Sequence, residues 1–582
     1  MHPFGTLAAI IWMAPAVQEG IMRSFVAFVA LVASAITASA RNPKFASDVP
    51  TKSAGRVEVI IQFRHKPTAF HAAKLTSHGG TVKSDLSLVN ALHASIPANR
   101  LQELANDPEV SYISLDRQLS KMDSTILFNV PAPAVDAPYA WSSGLIGSGI
   151  GVAVIDSGTQ DAKDLEDSSG KNRVVFKQSY ITGTTGTVDV YGHGVHVAGL
   201  IAGNGNSSKG QYEGMAPNAT LLNLRVLDDS GVGQDSYVIS AIQAAIQLKS
   251  KYNIRVINLS LGRPVYESYA LDPLCQAVEQ AWKAGIVVVV AAGNDGRNNS
   301  AGTYGYGTIM APGNDPYVIT VGAMKQEGSN RTSDLIASYS SKGPTAIDHI
   351  VKPDVVAPGN RVVSLAGKSG TQLEHSFPQN QITSDYFVLS GTSMATGIVS
   401  GMVADLLQAN PALTPDQIKA ILMKSAWKSF PNSSSTYDPA TGITYVSQYD
   451  VFTIGAGYVD LESALALVNN APPAGSSMLS PTAVFDSTSS NVYFQSNSST
   501  LWGSNALWGS NALWGSGVFT GASPTTGGSN ALWGSNALWG SNALWGSTTT
   551  SGFNALWGSN ALWGSTSKDA TESFSVSGTG EN

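Results

Sequence analysis

The chain has 582 residues, with 34 Lys and Arg against 41 Asp and Glu, and a net charge of −7. Charged residues are 13%, about half the share of an average soluble domain, and the acidic balance argues against a nucleic-acid binder, which would show a basic patch or stripe. Cys275 is the single cysteine, so neither an intrachain disulfide nor a thiolate metal cluster can form.

From Met22 the chain runs Met-Arg-Ser, then an apolar stretch from Phe25 to Ile36, then Ala38-Ser39-Ala40. A basic start, a short apolar run and a small-residue cleavage site read as an export signal over residues 1–40, with Met22 as the effective start. The run is too short for a stable bilayer-spanning helix. The mature chain is therefore expected to be secreted, extracellular or attached to a cell surface. Residues 57–63 have the apolar, β-branched content of a strand. Helical spacing follows over 68–77 and stops at Gly79-Gly80. Residues 81–97 read as two strands, 98–106 as a helix stopped by Asp107-Pro108, and 110–115 as a last strand. That β-α-β-β-α-β order is the ferredoxin-like split βαβ unit. A unit this small is marginal alone, so it is expected to lean on a neighbour; a stand-alone binding module is the alternative.

From about residue 149 strands alternate with helices. Gly151 to Ile155 is a buried strand ending at Asp156, and Leu221 to Val226 is a second. A helix starts near the cap Asp235 and runs to about Lys249, and Val256 to Leu259 is a third strand. Asp272 as N-cap and Pro273 at the first helical position open a helix that ends before Gly285. Ile286 to Val290 is the fourth strand. Apolar strands joined by helices predict a mostly parallel sheet covered on both faces, with its chemistry at the carboxyl ends of the strands.

Three polar islands fall at such places. Asp156 follows its strand in Val-Ile-Asp-Ser-Gly, His193 lies between Gly192 and Gly194 at a helix start, and Ser393 opens a helical run to about Gln408 within Ser390-Gly-Thr-Ser-Met-Ala. Singly, they read as a turn carboxylate, a structural donor and an N-cap. Together they supply a base, the carboxylate that orients it, and a hydroxyl needing activation.

These segments, in the order Asp, His, Ser, resemble the three signatures of the subtilases, the subtilisin-like serine proteases. Ala291-Ala-Gly-Asn294 resembles the family segment that carries the oxyanion-hole asparagine. The resemblance covers about residues 56–470. It implies a three-layer α/β/α fold and a secreted serine endopeptidase that forms an acyl-enzyme on Ser393. His193 would serve as base, Asp156 as its orienter and Asn294 as the oxyanion donor. Ser260-Leu261-Gly262 resembles the substrate strand, with Ala291, Ala292 and Gly293 lining the other side of the first pocket. The absence of charge there implies apolar or aromatic preference. Residues 57–116 resemble the family's inhibitor propeptide, an intramolecular partner removed by self-cleavage. By family spacing that cut falls near Met122–Asp123, which puts Leu119 and Met122 in apolar subsites. Thr414-Pro-Asp-Gln417 is a capping box, and Gly455 to Asp460 resembles the family's closing segment. Two departures stand out: Val195 where threonine is usual, and Gly397-Ile398 where Pro-His or Pro-Tyr is commoner, expected to relax the packing behind the nucleophile. No cofactor is required by the sequence. Calcium is possible at Asp161, Asp164, Glu166 and Asp167, although a solvated loop is the plainer reading, and the tight calcium loop of the family has no match in Asn204 to Tyr212. His196 and Cys275 read as structural.

The predicted organisation is a signal over 1–40, propeptide 41–122, peptidase domain 123–470, linker 471–486, repeat tail 487–567 and a terminal stretch 568–582. The tail repeats Asn-Ala-Leu-Trp-Gly-Ser, carries eight of the twelve tryptophans, and has no Asp, Glu, Lys or Arg. A six-residue period disfavours helix and leaves a β-repeat or low-complexity disorder. Attachment to a cell surface, matrix or glycan is expected of it. The rival reading is a catalytically inactive adhesion protein with a protease-like domain and a Trp-repeat binding tail. The sedolisin-type acid peptidases are disfavoured by His193.

Overall fold

The computed structural model describes residues 43–46, 48–50, 55–120, 129–300, 302–328, 331–368, 370–438, 441–475, 477–486, 491–495 and 581. The export signal with its Met22 start, the Met122–Asp123 cut and the repeats beyond Gln495 lie outside them. Among the described residues no helix is long and apolar enough to cross a membrane.

The amino-terminal unit follows the expected order: β1 (Arg56–Phe63), α1 (Ala69–Ser77), β2 (Thr81–Leu86), β3 (Ala91–Pro97), α2 (Leu101–Ala105) and β4 (Val110–Leu115). Its antiparallel sheet has the order β2-β3-β1-β4, as a split βαβ unit requires. One face packs on its own helices through Val59, Ile61, Leu75, Ile96 and Leu104. From the unit, Ile60, Leu86, Val89 and Ala91 instead join the core of the following domain. The unit does lean on its neighbour, because its second apolar face has nowhere else to go.

The main domain is an eight-stranded sheet. Its strands are β6 (Gly151–Asp156), β7 (Val174–Ser179), β8 (Thr220–Arg225), β10 (Ile254–Leu259), β11 (Val287–Ala291), β12 (Ile319–Lys325), β13 (Leu335–Ile336) and β14 (Val355–Pro358). The order is β13-β12-β11-β10-β6-β8-β7 with β14 beside β12, and every pairing is parallel except β12 with β13. The longer helices are α3 (His193–Ala202), α4 (Asp235–Tyr252), α5 (Pro273–Lys283), α6 (Thr392–Ala409) and α7 (Pro415–Ser425). The short β9 (Val232–Gln234) lies off the sheet and pairs with β5 (Gln118–Ser120). A small antiparallel sheet, β15 (Val362–Leu365), β17 (Tyr386–Leu389) and β16 (Gln381–Thr383), and a hairpin of β18 (Ser433–Asp438) and β19 (Ile443–Gln448) complete the domain.

Two expectations change. Asp235 is the first residue of α4 and not its cap, since its carboxylate is drawn to Arg263 at 3.0 and 3.1 Å. Asp116 of the amino-terminal unit caps α4 instead, accepting from Ser236 N at 2.7 Å and Ser236 Oγ at 2.6 Å. The stretch 471–486 is no free linker. Pro472 and Pro481 carbonyls accept from Gln417 Nε2 and Val351 N, Ser480 bridges Lys419 and Asp354, and β20 (Thr482–Asp486) forms a hairpin with β21 (Asn491–Gln495). Far along the chain, Glu581 is buried against the domain, accepting from Arg297 Nη2 at 2.8 Å and Ser338 N at 2.7 Å.

Candidate active site

β6, β10 and β11 lie side by side, so Asp156, Ser260 and Ala291 reach one edge of the sheet together. Asp156 is buried and its Oδ1 stands 2.7 Å from His193 Nδ1. The same oxygen accepts from Ser157 N at 2.7 Å, which fixes the carboxylate. His193 is the first residue of α3 and fully buried. Gly192 before it has φ of 107°, and a Cβ there would run into Thr371 Oγ1. Only glycine makes that turn into the helix.

Asp189 anchors the start of α3, which sequence reasoning missed. Its two oxygens accept from Gly192 N and Val195 N, each at 2.8 Å, while Ser157 Oγ accepts from Gly194 N at 2.9 Å. Burial raises the Asp189 carboxyl to about 6, and the charge on Asp156 adds to the rise. The signal was present as an Asp three residues before a glycine-led helix, but it names no partner.

Ser393 is the second residue of α6, where backbone N–H groups and the helix dipole favour negative charge. Its hydroxyl donates to the Ser260 carbonyl at 3.1 Å, and Ser260 Oγ donates back to the Ser393 carbonyl at 2.9 Å. Asn258 Nδ2 donates to Ser260 Oγ and Ser400 Oγ to Asn258 Oδ1, so α6 is laced to the end of β10. Asn294 lies three residues beyond β11, and its Oδ1 accepts from Thr392 N at 3.0 Å and Thr392 Oγ1 at 3.1 Å. That leaves Asn294 Nδ2 buried with no hydrogen-bond partner among the described residues. Thr392 was not singled out from the sequence.

Family-model comparison decides the identity: the description "Subtilase family" matches residues 147–457. The chain belongs to the subtilase family. It is a serine endopeptidase of the subtilisin type. This subtilase is 35% identical over 389 residues to serine protease AprX of Bacillus subtilis, covering 64% of this chain and 84% of the relative. It is 34% identical over 380 residues to subtilisin E of Bacillus subtilis, covering 64% and 86%. Among solved structures it resembles fervidolysin from Fervidobacterium pennivorans, a keratinolytic enzyme, with a TM-score of 0.54 and 21% identity. That match covers 72% of this chain and 62% of fervidolysin, and it bears on the fold alone.

The other expected residues fall as follows. Ser260, Leu261 and Gly262 leave β10, and Ala291, Ala292 and Gly293 close β11 one strand over, so the two segments flank the same edge. Leu261, Ala291 and Ala292 are fully buried. His196 places Nε2 3.1 Å from the carbonyls of Val362 and Phe387, tying α3 to the small sheet. Cys275 is buried in α5 beside Asn314, and burial pushes its thiol up. Gly397 does not relax the packing behind the nucleophile. A Cβ there would stand 3.3 Å from Leu200 Cβ, so the residue lets α6 approach α3 closely, and Ile398 is fully buried. The acidic cluster does not converge on a cation. Asp161 pairs with Lys177 at 2.6 Å, Asp164 accepts from Ser207 N at 2.7 Å, and Asp167 closes a turn with Ser169 and Lys171. No group of three or more His, Cys, Asp or Glu among the described residues is placed to hold a metal ion.

Proposed function

We propose that this subtilase is an exported endopeptidase that hydrolyses peptide bonds in proteins with Asp156, His193 and Ser393, and that it is made as a self-processed zymogen. The carrying observation is Asn294 Nδ2, a buried donor with no acceptor among the described residues, held by Thr392 one residue before the nucleophile. Buried donors are seldom left unpaired without cause, and a developing oxyanion is the acceptor this one lacks.

The Ser393 hydroxyl would leave the Ser260 carbonyl and attack the scissile carbonyl carbon as His193 takes its proton. Asp156, within 2.7 Å of His193 Nδ1, holds the tautomer in which Nε2 can take the proton and stabilises the imidazolium. Asn294 Nδ2 and the Ser393 N–H would receive the oxyanion. His193 then protonates the leaving amine, and water repeats the sequence on the acyl-enzyme. Substrate would add as a strand between Ser260–Gly262 and β9, with an apolar or aromatic side chain against Ala291, Ala292 and Gly293.

Residues 41–122 would be the inhibitor, removed at Met122–Asp123, residues 1–40 the export signal, and 123–470 the peptidase with 471–486 packed upon it. The tail 487–567 would attach the enzyme to a cell surface, matrix or glycan. Among the described residues calcium has no converging group of three or more carboxylates in its favour. A fluorophosphonate probe tests the central reading. The mature protein should label at Ser393 and Ser393→Ala should not; a mature protein that never labels favours the inactive adhesion protein. Self-processing predicts that Ser393→Ala keeps residues 57–122 attached while the native sequence sheds them. Pull-downs with residues 487–567 test the tail.

A further inference from the structure

Arg117 lies at the junction between the amino-terminal unit and β5. Its carbonyl accepts from Asp235 N at 2.9 Å, which extends by one residue the ladder that pairs Gln118–Ser120 with Gln234–Val232. Its side chain is therefore aimed by the same edge of backbone that a bound peptide would use. The guanidinium meets Glu267 through two hydrogen bonds, Nη1 to Oε1 and Nη2 to Oε2, the latter at 3.0 Å. Its Cζ lies 5.1 Å from the centre of the Tyr266 ring. A planar cation held by a two-oxygen fork and an aromatic face is an arrangement suited to arginine above lysine.

The ownership of these contacts matters. Arg117 also pairs with Asp48 at 2.9 and 3.0 Å, and Glu267 Oε2 also accepts from Tyr112 OH at 3.0 Å. Asp48, Tyr112 and Arg117 all belong to the segment that self-processing would remove; Tyr266 and Glu267 stay. Behind them Arg263 is shared by Asp235 and Asp272, both fully buried, so the domain supplies three carboxylates and one guanidinium here. Once the unit leaves, Glu267 has lost both its hydrogen-bond partners and the surroundings remain net negative.

We propose that Tyr266 and Glu267 form an arginine subsite of the peptidase cleft, filled in the uncut chain by Arg117 and in the mature enzyme by an arginine of the substrate. The arginine precedes the residues that pair with β9, well upstream of the scissile bond. This rests on the proteolytic reading above and narrows its substrates to chains that present a basic residue there, in addition to an apolar one at the bond.

The experiment uses the mature enzyme and internally quenched peptides that differ only at the place Arg117 holds relative to Met122–Asp123. Arginine, lysine, glutamine or glutamate is set at that place or moved to either neighbour, and a further peptide is truncated before it. The native enzyme should cut the arginine peptide about 10-fold better in kcat/KM than the glutamine peptide, with lysine between them and the advantage lost at the neighbouring places. In Glu267→Gln the arginine-to-glutamine ratio should fall to near one, and in Glu267→Arg the glutamate peptide should overtake the arginine peptide. Ratios within one preparation are insensitive to the fraction folded. Equal cutting of arginine and glutamine peptides by the native enzyme overturns the subsite, as does a ratio that survives Glu267→Gln. Equal cutting together with faster shedding of the unit in Glu267→Gln overturns it in favour of a lock for the amino-terminal unit alone. Failure to cut even the truncated peptide brings down the proteolytic reading itself, and the subsite with it.

Discussion

Thr392 and Ser393 are neighbours with different tasks: one aims the asparagine, the other carries the hydroxyl. Removing the Asn294 side chain takes an acceptor from Thr392 N and Oγ1 and, on the proposed reading, one donor from the oxyanion. Asn294→Ala should therefore lower kcat by about 10²–10³-fold with KM little changed, the magnitude known for the corresponding donor of subtilisin. Steady-state kinetics on a peptide substrate read the split between kcat and KM. The residues of the proposed triad were legible because each stands in a short local motif. Asp189 and Thr392 were not, because their work is done on backbone and side-chain groups that only the fold identifies; Thr392 and Asn294 are 98 residues apart. Buried carboxylates add a pH signature. Asp450 accepts from Phe452 N at 2.9 Å and from Tyr306 OH, and burial raises its carboxyl to about 6 against an ordinary 3.8. A raised carboxyl favours the folded state while protonated, so its contribution is full below about 3.8 and is lost as pH rises through about 6. The Tm of Asp450→Asn relative to the native chain should accordingly rise between pH 4 and pH 7, as read by thermal melts (roughly the span of the two pKa values).

At the scale of elements, α3 and α6 bring the imidazole and the hydroxyl to the same edge, and small residues set their approach. A Cβ on Gly401 would fall 2.5 Å from Met215 Cβ and 3.0 Å from the Ile201 carbonyl. Gly401→Ala should cost about 1–3 kcal/mol by overpacking, and more than Gly397→Ala, whose Cβ meets its nearest neighbour at 3.3 Å. Denaturant titration of the two variants tests the order. The starts of two helices with side-chain caps, α5 and α7, were legible to the residue. The carboxylate of Asp272 accepts from Leu274 N at 2.9 Å, and Thr414 with Gln417 forms the capping box foreseen for α7. The start of α4 misled because Asp235 has a stronger partner in Arg263, and its cap comes from Asp116 in another unit. Strand β7 escaped because only Val174 of its residues is buried, so it lacks the apolar run that marks β6 and β11. Strand β12 is interrupted by Gly322 and ends in Lys325, which breaks the same pattern.

For the whole molecule, the amino-terminal unit and the domain share a core, a ladder and a helix cap. Gln62 Nε2 also reaches Gln276 Oε1 at 2.6 Å. Asp116→Ala removes the cap of α4, worth about 0.5–2 kcal/mol by analogy with N-caps, so the unit should be held less tightly. Full-length Asp116→Ala should then show a shorter lag before peptide hydrolysis appears than the native chain does; an unchanged lag would mean that the cap contributes nothing to retention. None of these cross-unit contacts could be read from the sequence, although both partners of each were visible in it, because nothing local pairs residue 116 with 236 or 117 with 267. Only eight residues, 121–128, join Ser120 to Asn129. On the proposed reading, while that connection is whole the amino-terminal unit would be presented to the cleft at an effective concentration on the order of millimolar, however dilute the protein. Cutting at Met122–Asp123 would alter no contact of Asp116 or Arg117. It would change only that local concentration, making retention of the unit depend on how much of it surrounds the enzyme, so that dilution away from the producing cell would itself be the activating signal.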